Sequence, residues 1–203
     1  MFFLHRAIFK IMKYQWKLYF NKHKGRKPKQ QLLDALQYVK NKELALDLGC
    51  GLMIESQAII KNGFQNVIAV DRYRELKNLV KPNKKIKFVV SNFKNFKFSN
   101  NSFDLINAEF ALPFYGKDGF DKFFTDIKNS LKKDGIFTGQ LFGIKDSWNT
   151  FDSKMVFQSK KEAKALFKGF ELILFEEKYE PNGSSSTEKV KVWHIFRFIA
   201  RKK

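Results

Sequence analysis

Glu43–Gly51 reads ELALDLGCG, and the rest of the chain is organised around it. The apolar run Leu44-Ala45-Leu46 is too short for a helix and suits a strand buried on both faces. Asp47 and Leu48 follow, then Gly49 and Gly51 on either side of Cys50. Such glycines allow a tight turn and let backbone N–H groups come close to a ligand. Ile54–Asn62 reads as a helix, so the turn falls between a strand and a helix N-terminus. Further on, the apolar run Val67-Ile68-Ala69-Val70 ends in Asp71. A strand, a glycine turn, a helix and a second strand tipped by an acid make half of a nucleoside-binding α/β fold. Asp71 is placed to accept hydrogen bonds from both hydroxyls of a ribose.

DLGCG with the downstream Asp71 resembles the first two motifs of the class I S-adenosylmethionine-dependent methyltransferases. Met53 stands where the third glycine of GxGxG is usual. A pyrophosphate needs the full glycine pattern, so the departure argues against a dinucleotide, whereas S-adenosyl-L-methionine carries no phosphate. A third motif, SFDLINAEFALPF at 102–114, is similar to the fourth-strand motif of small bacterial methyltransferases related to the tellurite-resistance type. GQLFGIKDSW at 139–148 and KVWHIFRFIARK at 191–202 are similar to that group's fifth and seventh strands, so the resemblance covers about residues 14–202.

The resemblance implies an α/β fold with a Rossmann-like, seven-stranded, mostly parallel sheet, a C-terminal antiparallel hairpin and helices on both faces. It implies S-adenosyl-L-methionine as cofactor. Asp47, Gly49, Cys50 and Gly51 would form the first turn, and Asp71 and Arg72 would meet the ribose. Asn92, where the family usually has Asp, and Phe93 would meet the adenine. Asn107 and Ala108 would lie where the methyl is transferred, and Arg26 would pair the methionine carboxylate. Phe110 and Trp148 are candidate substrate walls, with packing as their other reading. In-line transfer from a sulfonium needs mainly a positioned nucleophile, so no catalytic residue is assigned. Glu109, Asp146 and His194 are the titratable groups near the expected mouth. His194 lies inside a strand pattern and reads as a satisfied core histidine. No metal site is expected.

The chain has 203 residues, enough for one α/β domain with a full core. Its formal net charge is +19, a balance that nucleic acid or an anionic membrane would attract. The excess is nearly all Lys scattered through every segment, which reads as a solvated face. The reading is therefore a methyltransferase acting on a small-molecule acceptor, with nucleic acid not favoured. An RNA or protein methyltransferase is the alternative that Lys clustered at the cofactor mouth would favour. A cofactor-binding module without turnover is the other. The single Cys50 excludes an intramolecular disulfide and suits a reducing cytoplasm. No stretch has the roughly 20 apolar residues of a transmembrane helix.

Residues 1–29 read as an aromatic, basic lead-in, with Trp16, Tyr19 and Arg26 as candidates for a lid over the cofactor, and residues 30–203 as the methyltransferase domain. Helices are expected at Gln30–Lys40, Ile54–Asn62, Tyr73–Val80, 117–133 and Lys160–Phe167. Strands are expected at Leu44–Leu48, Asn66–Val70, Lys87–Val90, Phe103–Ala108, Ile136–Phe142, Glu171–Glu176 and Lys189–Ala200. Alternating strands and helices require a parallel sheet with right-handed crossovers.

Overall fold

The computed structural model describes residues 18–185 and 188–203. The apolar run of the glycine motif becomes β1 (Leu44–Leu48). It lies between β2 (Asn66–Asp71) and β4 (Phe103–Ala108) and is parallel to both. The sheet continues through β3 (Ile86–Val90) beside β2, and through β5 (Leu131–Gly143), β8 (Lys191–Lys202) and β7 (Phe170–Gly183) beyond β4. The order is β3-β2-β1-β4-β5-β8-β7, and β8 runs antiparallel to both of its neighbours. These seven strands are the expected frame. An eighth, β6 (Phe157–Gln158), pairs with the end of β5 in a stretch expected to be loop.

Among the described residues after the lead-in, four α-helices cover the sheet: α1 (Gln30–Leu36), α2 (Ile54–Lys61), α3 (Phe120–Ser130) and α4 (Lys160–Ala165). Strand alternation sorts the core into two layers. Ala45, Leu105, Ile136 and Ile199 face one way and pack with Leu32, Ala35 and Leu36 of α1 and Ala58 and Ile59 of α2. Leu46, Ile106, Phe137 and Phe198 face the other way, against Phe123, Phe124 and Ile127 of α3 and Phe167 just past α4. Each such Leu, Ile or Phe side chain contributes about 1.5–3 kcal/mol by leaving water. The central strand β4 is buried at every position, as a strand covered on both faces must be.

Some boundaries differ from expectation. The helix expected over 117–133 is α3, and it stops at Ser130 because Leu131 is wholly buried and pairs with Phe103. The Lys132-Lys133-Asp134-Gly135 stretch at its expected end instead enters β5, where the register slips and Asp134 takes φ +63°. Tyr73–Val80 holds a 3₁₀ turn, Arg74–Asn78, and no α-helix. No helix among the described residues is long and apolar enough to cross a membrane.

Candidate active site

An open parallel sheet binds ligands beyond the carboxyl ends of its strands, where the strand order reverses. Here that point lies between β1 and β4, and a cavity of about 1140 Å³ opens beside it. Its first half is built by the glycine turn. Gly49 takes φ +71° and donates to the Val70 carbonyl at 2.8 Å. A Cβ there would lie 2.7 Å from that of Ala111, so only glycine lets the turn approach the segment that follows β4. Met53, in the place of the missing glycine, keeps the left-handed geometry at φ +56°. Its side chain is buried with Cys50 and Ala69, which offsets the strain of that conformation.

Asp71 closes this half. Its Oδ2 accepts from the Gly51 amide and its Oδ1 from the Tyr73 amide, both at 3.0 Å. Each oxygen keeps a lone pair for a ligand hydroxyl. Burial raises its pKa against these two amides and Arg72. Asp47 sits beneath the turn, accepting from Ser56 Oγ at 2.5 Å and from Asn107 Nδ2 at 2.8 Å. Burial, then Glu55, lifts it to about 7, against the hydrogen bonds from Ser56 and Asn107. Asn92 and Phe93 also line the cavity; Phe93 stacks on Phe123 with ring centres 5.8 Å apart. Arg72 lines it as well, lying over the Tyr73 ring. Cys50 is buried in the turn and its thiol pKa is pushed well up by burial, then by Asp47 and Asp71.

Two expectations need correction. Asn107 and Ala108 do not line the cavity: β4 is buried throughout, and Asn107 Nδ2 donates to Asp47. The first β4 residues to reach the cavity are Glu109, Phe110 and Ala111, immediately after the strand. Arg26 lines the cavity, but its guanidinium forms a bidentate pair with Glu55 of α2, both contacts at 2.7 Å. Glu55 is 4% exposed and also accepts from the Lys29 amide, so the lead-in is moored to α2 rather than offering a free cation. Tyr19 and Phe20 line the same wall; Trp16 lies outside the described residues.

The second half is aromatic. Phe110, Phe142, Trp148 and Trp193 line it, with Phe110 5.7 Å and Trp148 5.4 Å from Trp193, centre to centre. Behind them, Lys191 is sealed in the protein with its Nζ 3.9 Å from the Trp148 ring centre and 4.2 Å from that of Trp193. Its counterion is Asp146, which also accepts from the Trp148 and His194 amides. His194 is buried, as the strand pattern implies, and bonds the Lys145 amide and Glu177. It crosses β5 at Gly143, where a Cβ would collide with the imidazole. Phe142 stands at the carboxyl end of the fifth strand, where the sequence places ligand-facing residues, whereas Trp193 was missed as a wall residue. The signal for Trp193 was its place next to His194 in an alternating strand, on the opposite face.

The glycine turn, the acid on β2 and the apolar Phe93 together suit a nucleoside without phosphate, which is the chemistry of the S-adenosyl group. Comparison with known proteins agrees. Residues 46–138 match the family model of a methyltransferase domain. The fold is similar to that of TehB from Haemophilus influenzae, with TM-score 0.74 and 17% identity over 91% of this chain and 66% of that one. This chain thus spans just under two thirds of TehB. An S-adenosylmethionine-dependent methyltransferase from Mesorhizobium loti aligns with TM-score 0.66 and 15% identity, over 85% of this chain and 96% of that one. A 1,6-didemethyltoxoflavin-N1-methyltransferase from Burkholderia thailandensis aligns with TM-score 0.59 and 15% identity, over 85% of this chain and 78% of that one. No curated protein matches the sequence. With its strand order and its acid-tipped β2, the chain has the fold of the class I S-adenosylmethionine-dependent methyltransferases, and its residues 46–138 match a methyltransferase domain.

Proposed function

We propose that the chain holds S-adenosylmethionine in the half of the cavity bounded by the glycine turn and Asp71, and passes its methyl group to a small-molecule acceptor in the aromatic half. The observation that carries this is the division of one cavity into a polar half, lined by the glycine turn and Asp71, and an aromatic half, with Glu109–Ala111 among the lining residues. The cofactor supplies an activated methyl group. The chain's part is to anchor the ribose at Asp71, to set the adenine against Phe93 and to hold the acceptor in line, with water kept out by the aromatic walls. Residues 1–29 are read as a lead-in, whose described end lines the cofactor half through Tyr19, Phe20 and Arg26, and residues 30–203 as the catalytic domain. The single, buried Cys50 suits the reducing cytoplasm, where we place the protein.

The charges at the cavity favour a small molecule over nucleic acid. Despite the net +19, Lys22, Arg26, Lys29, Arg72, Lys94 and Lys178 are matched there by Asp47, Glu55, Asp71, Glu109, Asp152, Glu180 and Glu188. A phosphate backbone would be drawn to a cationic mouth, and this one is balanced. The Burkholderia thailandensis neighbour holds 1,6-didemethyltoxoflavin and S-adenosylhomocysteine, a small acceptor beside the spent cofactor.

Isothermal titration tests the cofactor half. S-adenosylmethionine and S-adenosylhomocysteine should saturate the protein and NAD should not. Asp71→Ala should weaken both by about tenfold to several hundredfold, because it removes two charge-assisted hydrogen bonds. Saturable NAD binding without S-adenosylmethionine binding would sink the proposal.

A further inference from the structure

Glu109 joins the two halves of the cavity. Ala111, two residues on, packs against Gly49 so closely that no side chain fits between them. Phe110, the residue between, faces Trp193 and Phe142. Phe110 holds φ +50°, a conformation a bulky residue keeps only where its surroundings enforce it. The enforcing group is Gln140 on β5, whose Oε1 accepts from the Phe110 amide at 2.7 Å. The Gln140 amide nitrogen donates at 2.7 Å both to Glu109 Oε2 and to Gln31 Oε1. Gln31, on α1, is tied in turn to the Gly139 and Phe198 carbonyls and to Arg197. Three elements thus combine to hold one carboxyl oxygen. The other, Oε1, is buried and has no hydrogen-bond partner among the described residues, although Glu109 lines the cavity. A buried acceptor left unmet is costly, and on a residue that lines the cavity such an atom is met when a ligand brings a donor.

We propose that Glu109 is the general base of methyl transfer, its Oε1 taking the proton from a ring-borne N–H or O–H of a flat aromatic acceptor stacked among Phe110, Phe142, Trp148 and Trp193. This rests on the reading that the cofactor occupies the glycine-turn half. The acceptor's nitrogen or oxygen lone pair forms the new bond to the methyl carbon. The carbon–sulfur bond breaks and its electron pair stays on sulfur, which becomes a neutral thioether. The acceptor's proton passes to Glu109 Oε1 and leaves to water when the product departs. A carboxyl with its pKa close to neutrality suits this role. Burial is the main cause that lifts Glu109 to about 7; the Gln140 hydrogen bond opposes it, Glu55 adds to it, and Lys29 and Arg26 oppose it. Tyr19, from the lead-in, lines the same cavity. The flat shape follows from the walls, since aromatic rings gain most from a ring laid face or edge against them.

The test is isothermal titration into protein saturated with S-adenosylhomocysteine, above neutral pH. Benzimidazole is compared with 1-methylbenzimidazole, and 2-naphthol with 2-methoxynaphthalene, so that each pair differs by one donor. The donor member should bind the wild type at least about tenfold more tightly. Glu109→Leu should abolish that preference while S-adenosylhomocysteine affinity stays within about threefold and the melting temperature within a few degrees. Methyl transfer to the tighter donor probe, read as released S-adenosylhomocysteine, should rise with pH through about 7 and fall about a hundredfold or more in Glu109→Gln. Absence of a donor preference, a preference that survives Glu109→Leu, or a bound donor probe that is never methylated overturns the assignment. So does an equal loss of S-adenosylhomocysteine affinity in both variants, which would make Glu109 a cofactor contact. Failure of the wild type to bind S-adenosylhomocysteine would overturn the cofactor reading, and this assignment with it.

Discussion

Asp47 shows how one residue can serve the turn at a cost to the fold. Its carboxyl is 1% exposed and is bridged to Ser56 on α2 and Asn107 on β4, so it ties the glycine motif to both neighbours. Burial pushes its pKa from near 3.8 up to about 7. The sign of the linkage follows. An unfolded chain releases this proton near pH 4 and the folded chain only near 7, so ionisation favours unfolding throughout that window. The stability conferred by the neutral group is complete below about pH 4 and is lost as pH rises through about 7. Asp47→Asn removes the titration and keeps the shape. Its stability relative to wild type should therefore improve by on the order of 2–4 kcal/mol between acid and neutral pH. Urea melts of both proteins across that range check it, and a pH-independent difference would show that Asp47 ionises freely in the fold.

At the scale of the element, the β5–β8 crossing builds the aromatic half. Gly143 lets His194 lie across β5, and Asp146 in the following loop gathers Lys191, the Trp148 amide and the His194 amide. Burial lowers the Lys191 pKa, and the hydrogen bond and charge of Asp146 hold it up. A buried pair is weak evidence of net stabilisation, but removing one member leaves the other charged in a dry site. Asp146→Ala should thus cost about 3–5 kcal/mol, with loss of the near-ultraviolet signal of Trp148 and Trp193. Lys191→Met keeps an apolar stem between the two rings and leaves Asp146 its two backbone donors, so it should cost clearly less. Thermal unfolding of the two variants decides this; equal losses would mean that the cation itself, and not its desolvation, holds the wall.

For the molecule as a whole, the described end of the lead-in is held onto the domain at the cofactor half. Residues 18–23 are helical, Phe20 is buried against the glycine turn and Arg26 is moored to Glu55. A ligand seated beneath this segment should hold it down further. Trypsin, with sites at Lys22, Lys24, Arg26 and Lys29, should cut there up to about a hundredfold more slowly when S-adenosylhomocysteine is present at a hundred times its Kd. Equal rates with and without ligand would mean that the segment is a packed anchor and no lid.

Much of this was legible in local sequence because local physics sets it. The short apolar runs, the Gly49–Gly51 turn and the acid at the end of β2 depend on neighbours a few residues away, and their order alone requires a parallel sheet. The stripe of Phe120, Phe123, Phe124 and Ile127 likewise declares α3. What the local pattern could not supply are contacts set by sheet register. Leu131 left its helix because Phe103 was there to pair with it. Arg26 turned to Glu55, 29 residues away, and Asn107 to Asp47, 60 residues away. Gln31, separated from Gln140 by 109 residues, reaches Glu109 through it. A hydrogen bond is decided by distance and angle between two atoms, and for residues so far apart in the chain only the assembled sheet brings those atoms together.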